Sequence, residues 1–263
     1  MIIDFHTHMF PDKIAARTID FLSKTGGDMN PFTDGTWKGL KESTKQAGID
    51  HSIVLPIATR PGQFHTINEF ATHFQEGTLI SFGSLHPESE NYKEELKQIQ
   101  DMGMKGIKLH PDYQDTYFND IRYKRIISYA TELGLIISVH AGQDPKCPDN
   151  IHCTPAMAEE VLNEVEPEKL VLAHMGGNEL WSEVEERLVG RNVYFDTGVI
   201  LDRMPQEQFL LMVREHGADR IVFGTDAPWA DQKKFVEILK EMPLEEEERN
   251  QIFAGTAVKL LGL

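Results

Sequence analysis

The chain has 263 residues, of which 26 are basic and 42 acidic, so its formal net charge at pH 7 is −16. This balance argues against a surface that binds nucleic acid or an anionic membrane, because both need a basic patch. An anionic substrate is still allowed, since a bound divalent cation can dominate the local field. Two cysteines are too few for a disulfide framework. A low cysteine count is typical of proteins of the reducing cytosol.

The termini and the apolar runs predict a cytoplasmic protein. No apolar run approaches the roughly 18–20 residues of a membrane span. The N-terminus lacks the basic segment and the long apolar segment of a signal peptide, so we expect none. The length is within the range of one large barrel, and we expect residues 1–263 to form a single domain.

Short apolar, β-branched runs recur along the whole chain. Their continuous hydrophobicity is typical of strands buried on both faces of a parallel sheet. In chain order they are "MIIDF" from residue 1, "SIVLPI" from 52, "LISFGSL" from 79, "MKGIKL" from 104, "LIISV" from 135, "KLVLA" from 169, "NVYFD" from 192 and "RIVFG" from 220. The segment 24–36, "KTGGDMNPFTDGT", predicts a loop after the first strand.

Stretches with helical spacing separate these runs. The clearest stripe is Tyr123, Ile126, Ile127, Ala130 and Leu133. Eight strands that alternate with helices predict an α/β fold, the (β/α)8 TIM barrel. A doubly wound open sheet is the alternative, but no G-x-G-x-x-G motif follows any strand.

The histidines concentrate where a barrel enzyme has its site, at the C-terminal ends of the strands. Six of the eleven histidines fall at or just after predicted strand ends: His6, His8, His86, His110, His140 and His174. Strand ends make up about a tenth of such a chain, so roughly one histidine is expected there by chance. A single histidine at such a place more often caps a strand or satisfies a buried polar group. Together they predict one site.

Four of the strand-end residues suit a catalytic metal. His6 and His8 are two apart on one strand, so their side chains point the same way, although this pair alone is equally compatible with coincidence. His140 can add a nitrogen ligand and Asp226 an oxygen ligand, which leaves a position open for water. The metal would bring the pKa of that water to about 7. Asp226 could then take its proton, and His174 could polarise a carbonyl or stabilise an oxyanion.

Five motifs in order give the chain a family resemblance. They are "DFHTH" at 4–8, "GIKLHP" at 106–111, "VHAG" at 139–142, "AHMGG" at 173–177 and "FGTDAPW" at 223–229. This set resembles the amidohydrolase superfamily over essentially the whole chain. The most similar branch includes aminocarboxymuconate-semialdehyde decarboxylase, resorcylate-type decarboxylases and hydrolases of small carboxylates. The resemblance implies that His6, His8, His140 and Asp226 bind the metal and that His174 is the catalytic histidine.

Lys108 and His110, in "GIKLHP", are compatible with more than one role. In superfamily members that resemble dihydroorotase, a carboxylated lysine on this strand bridges two metals, and the second metal is held by positions matching His140 and His174. Lys108 could instead contact a substrate carboxylate, or be a structural lysine paired with an acidic residue. We favour contact with a substrate carboxylate or another charge. The bridging role and the purely structural role are equally expected, and each is less favoured. His110 is expected in or beside the substrate site.

Two further residues are candidates for contact with the substrate. Arg60, in "IATRPG", could bind a carboxylate with two hydrogen bonds, or be a surface arginine in a turn. Trp229, just after Asp226, could line the pocket or simply pack. Cys147 and Cys153 lie in one loop with Lys146 and His152, where free thiols are favoured over a small structural zinc site.

The residues predict a metal-dependent hydrolase that uses activated water to cleave a C–N or C–O bond in a small, carboxylate-bearing molecule. The alternative is a non-oxidative decarboxylase of an aromatic or dienoic acid, because the same fold and ligands host both reactions. A non-catalytic metal-binding barrel is the least favoured hypothesis. Zinc suits the mixed ligands, and Mn²⁺, Fe²⁺ or Co²⁺ would also fit. We expect one ion, or two if Lys108 is carboxylated; the resemblance also implies a homodimer.

Overall fold

The computed structural model describes residues 1–27 and 29–263. Residue 28, inside the predicted loop 24–36, lies outside the described residues. The chain divides into two compact units. The first unit comprises Met1–Val54, Glu76–Ile80 and Asp196–Leu263, and the second comprises Leu55–Gln75 and Ser81–Phe195. The single domain predicted for 1–263 stays a prediction.

Strands and helices alternate along the described residues. The strands are β1 (Ile3–Thr7), β2 (His51–Val54), β3 (Leu79–Ser81), β4 (Gly83–Ser84), β5 (Gly106–Leu109), β6 (Ile136–Val139), β7 (Leu170–Leu172), β8 (Tyr194–Asp196) and β9 (Ile221–Val222). The α-helices are α1 (Asp12–Thr25), α2 (Trp37–Gln46), α3 (Phe64–Ala71), α4 (Tyr92–Asp101), α5 (Ile121–Glu132), α6 (Pro155–Val165), α7 (Trp181–Arg187), α8 (Gln206–His216), α9 (Gln232–Glu241), α10 (Glu246–Asn250) and α11 (Thr256–Leu261).

Each of the eight predicted strands is present, and the third is divided. Phe82 separates β3 from β4, so the run "LISFGSL" forms two short strands. Nearly all strand residues are buried, as the continuous apolar runs predict. Helix α1 extends to Thr25, two residues into the segment that was predicted to be a loop. No helix of the described residues is both long enough and apolar enough to span a bilayer.

In the first unit, β1 has backbone partners on both edges. It pairs in parallel with β2. On its other edge, the amide of Asp226 donates to the carbonyl of His6 at 2.7 Å, and the amide of His8 donates to the carbonyl of Ala227 at 2.6 Å. This pairing holds the histidines of β1 against the segment that carries Asp226.

In the second unit, β4 to β8 lie side by side in chain order. The pairs from β4 to β8 are parallel, and the register places Lys108 of β5 opposite Ser84 and Ser138 of its neighbours. Helix α5 covers this unit with the predicted stripe, of which Tyr123, Ile126, Ile127 and Ala130 are buried. The carboxyl ends of these strands therefore lie along one edge, where His110 and His140 follow β5 and β6.

The loops after β6 and β7 are joined by a short parallel bridge. Gly142 pairs with Asn178, where the amide of Asn178 donates to the carbonyl of Ala141 at 2.9 Å. Gly142 has φ of +85°, and a Cβ at this position would lie 2.0 Å from the amide nitrogen of Asn178. Glycine is therefore required here both for the backbone conformation and for the close approach of the two chains.

Candidate metal centre

Three side chains of the first unit converge with the spacing of metal ligands. The Nε2 atoms of His6 and His8 are 3.2 Å apart, and Oδ1 of Asp226 lies 3.0 Å from His8 Nε2 and 3.5 Å from His6 Nε2. Ligands about 2.1 Å from one ion lie roughly 3.0–3.4 Å from one another in octahedral or tetrahedral geometry. The donor set and its spacing therefore fit a divalent metal.

A carboxylate holds His6 in the orientation that this site needs. Oδ2 of Asp196 lies 2.9 Å from His6 Nδ1, and both residues are buried. The other oxygen of Asp196 accepts from the amide of Gly198 at 2.9 Å. A proton on Nδ1 leaves the lone pair of His6 on Nε2, toward the site. The sequence interpretation missed Asp196, although it is the last residue of a predicted strand.

Asp4 ties β1 to the chain beyond β9. Its Oδ2 accepts from the hydroxyl of Thr225 at 2.6 Å and from Nε2 of Gln232 at 2.8 Å, while its Oδ1 accepts from the Thr225 amide at 2.9 Å. Burial raises the pKa of the Asp4 carboxyl group from 3.8 to about 7, although the hydrogen bonds from Thr225 and Gln232 oppose this rise. This network fixes the chain directly before Asp226.

Two predicted site residues have left-handed backbones. Asp226 has φ of +66°, His174 has +59°, and Met175, which follows His174, has +54°. Such conformations cost non-glycine residues of order 1–3 kcal/mol and concentrate at functional sites. The surrounding fold therefore imposes these conformations, which supports a functional role for Asp226 and His174.

The second unit brings His140 and His174 together. Nδ1 of His140 lies 3.0 Å from Nε2 of His174, and the rings meet edge to face at 4.8 Å. Nε1 of Trp181 donates to the carbonyl oxygen of His174 at 3.1 Å. One of the two imidazoles must donate and the other accept, so their protonation states are coupled.

His140 also lies beside a group of buried acidic residues that the sequence interpretation did not include. Its ring stacks on that of His110, with centroids 4.1 Å apart and planes 6° apart. Its Nε2 lies 3.8 Å from Oδ2 of Asp112 and 3.9 Å from Oδ2 of Asp144. Burial raises the pKa of Asp112, against the hydrogen bonds that His152 donates to it. The only signal available in the sequence is that Asp112 and Asp144 follow His110 and His140 closely.

The predicted substrate residues lie in different environments. Lys108 is fully buried in β5, whereas Arg60 is exposed at the turn before α3. Trp229 is half-buried, and its amide donates to the carbonyl of Asp226 at 2.9 Å. The roles of these residues in substrate binding stay predictions. His86, for which we predicted no catalytic role, is buried, and burial lowers its pKa.

The cysteines form no disulfide. Cys153 is buried and Cys147 is half-buried, and burial raises the pKa of both thiols. Within the part of the chain that the structure describes, no group of residues with metal-ligand spacing includes a cysteine. The preference for free thiols over a small zinc site stays a prediction.

Solved structures share this fold along their whole length. An uncharacterized TIM-barrel protein from Bordetella bronchiseptica is 18% identical, with a TM-score of 0.76, and the match covers 99% of this chain and 98% of that one. A 5-carboxyvanillate decarboxylase from Sphingomonas paucimobilis is 12% identical, with a TM-score of 0.71 and coverage of 100% and 99%. A dihydroxybenzoic acid decarboxylase from Polaromonas sp. JS666, with bound manganese and 2-nitroresorcinol, is 15% identical, with a TM-score of 0.75 and coverage of 100% and 97%.

These likenesses confirm the α/β TIM-barrel fold that the alternation of strands and helices predicts. No curated protein matches the sequence. The family model described as "Amidohydrolase" matches residues 3–263, a span that includes every residue of the His6, His8 and Asp226 group. The chain therefore belongs to the amidohydrolase family.

Proposed function

We propose that this protein is a metal-dependent decarboxylase that removes the carboxyl group of a hydroxylated aromatic acid without oxidation. The observation that carries the proposal is the group of His6, His8 and Asp226 donor atoms, 3.0–3.5 Å apart. Two proteins with the same fold decarboxylate acids of this class, one of them with bound manganese. This support favours the alternative that the sequence left open over the hydrolase that it placed first.

The metal would be held by His6, His8 and Asp226, with His140 as the predicted fourth ligand. When bound, the metal supplies positive charge beside the substrate oxygens. Manganese has support from the Polaromonas protein, and zinc, our first expectation, also suits the donor set. The side chains of His8 and Asp226 are each 13% exposed.

The reaction needs a proton donor on the protein. The ring carbon that bears the carboxylate gains a proton, the bond between that carbon and the carboxyl carbon breaks, and carbon dioxide leaves. We assign the proton to the imidazole of His174, and the contact of its Nε2 with Nδ1 of His140 at 3.0 Å provides a route for replacement of that proton. A cation must also orient the carboxylate, and Lys108 and Arg60 remain the candidates.

A substrate panel tests the proposal. The purified protein, loaded with Mn²⁺, is offered 2,6-dihydroxybenzoate and 5-carboxyvanillate beside amides, lactones and esters of similar acids. We expect release of carbon dioxide and the decarboxylated phenol. Hydrolysis without carbon dioxide release would restore the hydrolase hypothesis, and full metal occupancy without any turnover would favour a non-catalytic barrel.

Variants of His174 test the assignment of the proton. We expect His174→Asn to lower kcat by about 10²–10⁴-fold, as loss of a general acid does, while bound metal measured by elemental analysis stays unchanged. The matched control is Asp149→Asn, which alters an exposed residue of the loop after β6. Full activity of the His174 variant would remove the residue from the mechanism.

A further inference from the structure

A cavity of the first unit lies at the opposite ends of the strands from His8. It has a volume of about 480 Å³ and is lined by side chains of α2 and by residues that precede β2 and β3. Asp50 and Thr78 stand directly before these two strands, whereas His8 follows the last residue of β1, which runs parallel to β2. Sites for small molecules typically have volumes of about 300–1,000 Å³. The cavity is therefore large enough for a ligand that the proposed reaction does not use.

Three lysines of α2 give the lining of this cavity positive charge. Lys38, Lys41 and Lys45 line the cavity and are exposed. Residues three and four apart are neighbours on a helix surface, so the three ammonium groups belong to one face of α2. The chain as a whole has a net charge of −16. The cavity is thus a positive region on an acidic protein.

The charges of Lys41 and Lys45 are not neutralised within the described part of the chain. On α4, by comparison, Nζ of Lys97 lies 2.6 Å from Oδ1 of Asp101, four residues away. Lys41 and Lys45 are themselves four residues apart, and neither forms an ion pair among residues 1–27 and 29–263. Like charges at this spacing destabilise a helix. A bound anion would remove this repulsion.

The two carboxylates of the cavity accept hydrogen bonds from groups other than the lysines. Oε1 of Glu42 accepts from Nε2 of Gln46 at 2.9 Å, and Oδ2 of Asp50 accepts from the amide of Ile2 at 2.7 Å. Thr78, which also lines the cavity, carries a hydroxyl group that can donate to an anion. The lining therefore offers more donors to an anion than its two carboxylates oppose.

Trp37 adds an aromatic ring to the lining. The ammonium group of Lys38 lies 5.5 Å from the centroid of this ring, so the ring and the positive charge are adjacent in the cavity. An indole ring offers contact area to a planar group such as a nucleotide base. Lysine binds phosphate as a point charge. The two features together favour phosphate groups, either alone or attached to a planar group.

We propose that this cavity binds a small polyphosphate through Lys38, Lys41 and Lys45. Three ammonium groups along one helix face match a ligand with several negative groups better than a single monovalent anion. The candidate metal ligands His6, His8 and Asp226 belong to the same unit and are not part of this lining. Binding of the polyphosphate is therefore expected to be independent of the metal.

Calorimetric titration of the full chain with sodium triphosphate, and separately with ATP, tests the proposal. We expect one polyphosphate to bind per chain. The double variant Lys41→Gln/Lys45→Gln should lower the affinity at least about tenfold, because two charged contacts are lost. The matched control is Lys93→Gln/Lys97→Gln, which removes two exposed lysines at the same spacing from α4 and should bind as the unmodified chain does.

Three results would overturn the site. They are absence of binding by the unmodified chain, equal loss of affinity in the two double variants, and loss of binding in Asp226→Asn, which would place the anion at the candidate metal centre. Far-ultraviolet circular dichroism establishes that each variant folds.

The two ligands also distinguish the source of the phosphate groups. Tighter binding of ATP than of triphosphate, with the difference removed by Trp37→Leu, would support the site as one for a nucleotide. Equal affinity for both would support binding through the phosphates alone, as for an inorganic polyphosphate.

Discussion

The imidazole of His6 has different partners on its two nitrogen atoms. Nδ1 faces the carboxylate of Asp196 at 2.9 Å, and Nε2 faces His8 and Asp226. A carboxylate behind a metal-binding histidine fixes its tautomer and raises the basicity of the nitrogen that binds the metal. Asp196 thus acts on the candidate metal through His6.

Replacement of Asp196 should weaken metal binding without loss of the fold. We expect Asp196→Ala to lower the affinity of the His6, His8 and Asp226 group for Mn²⁺ by about 10–100-fold, because His6 loses its orienting partner. Asp196→Asn keeps an acceptor oxygen and should have the smaller effect. Calorimetric titration with Mn²⁺ measures both constants. Equal affinity of Asp196→Ala and the unmodified chain would show that the pair is structural only.

Asp4 should contribute strongly to stability. Asp4→Ala would leave the buried donors of Thr225 and Gln232 unsatisfied, so we expect the free energy of unfolding to fall by about 3 kcal/mol. Urea denaturation of metal-free protein measures the change and avoids the contribution of bound metal. In the double variant with Thr225→Val, the two losses should be less than additive, since the residues share hydrogen bonds. Full additivity would refute this account of the network.

Apart from Asp226, the metal-binding candidates that sequence reasoning found are histidines, whereas the buried residues beside them that it missed are carboxylates. Eleven histidines are few enough for their positions to stand out, whereas 42 acidic residues are not. Asp196, Asp112 and Asp144 are recognised only from their burial and contacts. Residue type alone does not separate a buried carboxylate beside histidine from an exposed one.

At the scale of elements, α5 shows how one side chain starts a helix. The side chain of Asp120 accepts from the amide of Arg122 at 2.8 Å and pairs with its guanidinium. We expect Asp120→Ala to lower the free energy of unfolding by about 1 kcal/mol, as loss of an N-cap does. Asp120→Asn should retain most of the cap at neutral pH. Urea denaturation compares the two, and equal losses would show that the ion pair, not the cap, is what matters.

The pKa of Asp120 predicts how the stability of the protein changes at acid pH. Hydrogen bonds from Arg122 lower the pKa of Asp120 from 3.8 to about 2. A carboxyl group whose pKa is lower in the folded state stabilises the protein at pH values above its pKa in the unfolded state. This stabilisation is lost as the pH falls through the pKa of the folded state. The stabilisation should therefore be complete above about pH 4 and should disappear toward pH 2. The stability difference between the unmodified chain and Asp120→Asn, followed by urea denaturation, should shrink over this interval; a constant difference would contradict the shift.

Elements with a long apolar stripe were predictable, and elements shaped by their neighbours were less so. Helix α5 buries four residues of one stripe. In α1 the buried residues are Ala15 and Ile19, and no side chain caps its N-terminus, so its sequence carries a weaker signal. The interruption at Phe82 within the third strand is not visible in the run "LISFGSL", because phenylalanine is itself a residue type that is common in strands.

At the scale of the whole molecule, metal should stabilise the native state because the ligands come together only on folding. Metal at about 1,000 times its Kd adds roughly 4 kcal/mol. For a chain of this size, removal of metal should lower Tm by about 10 °C. Differential scanning calorimetry with and without chelator measures this shift. Asp226→Asn should show a smaller shift, and no response in the unmodified chain would argue against a folded metal site.

The fold as a whole was the easiest property to predict. The motifs "DFHTH", "VHAG" and "FGTDAPW" each lie at or directly after an apolar run that forms a strand. Repeated βα units admit few architectures. The choice between decarboxylation and hydrolysis was not predictable in the same way. Both reactions use one constellation of ligands, so the sequence alone places the decarboxylase second.

The bridge between Gly142 and Asn178 has a consequence for how this protein can acquire new substrates. The loops after β6 and β7 are in backbone contact, and Gly142 leaves no space for even a methyl group. Changes of length or conformation in one loop must therefore be matched in the other. Natural divergence is expected to exchange the two loops as a pair, and libraries that vary both together should yield more folded variants than libraries that vary either one.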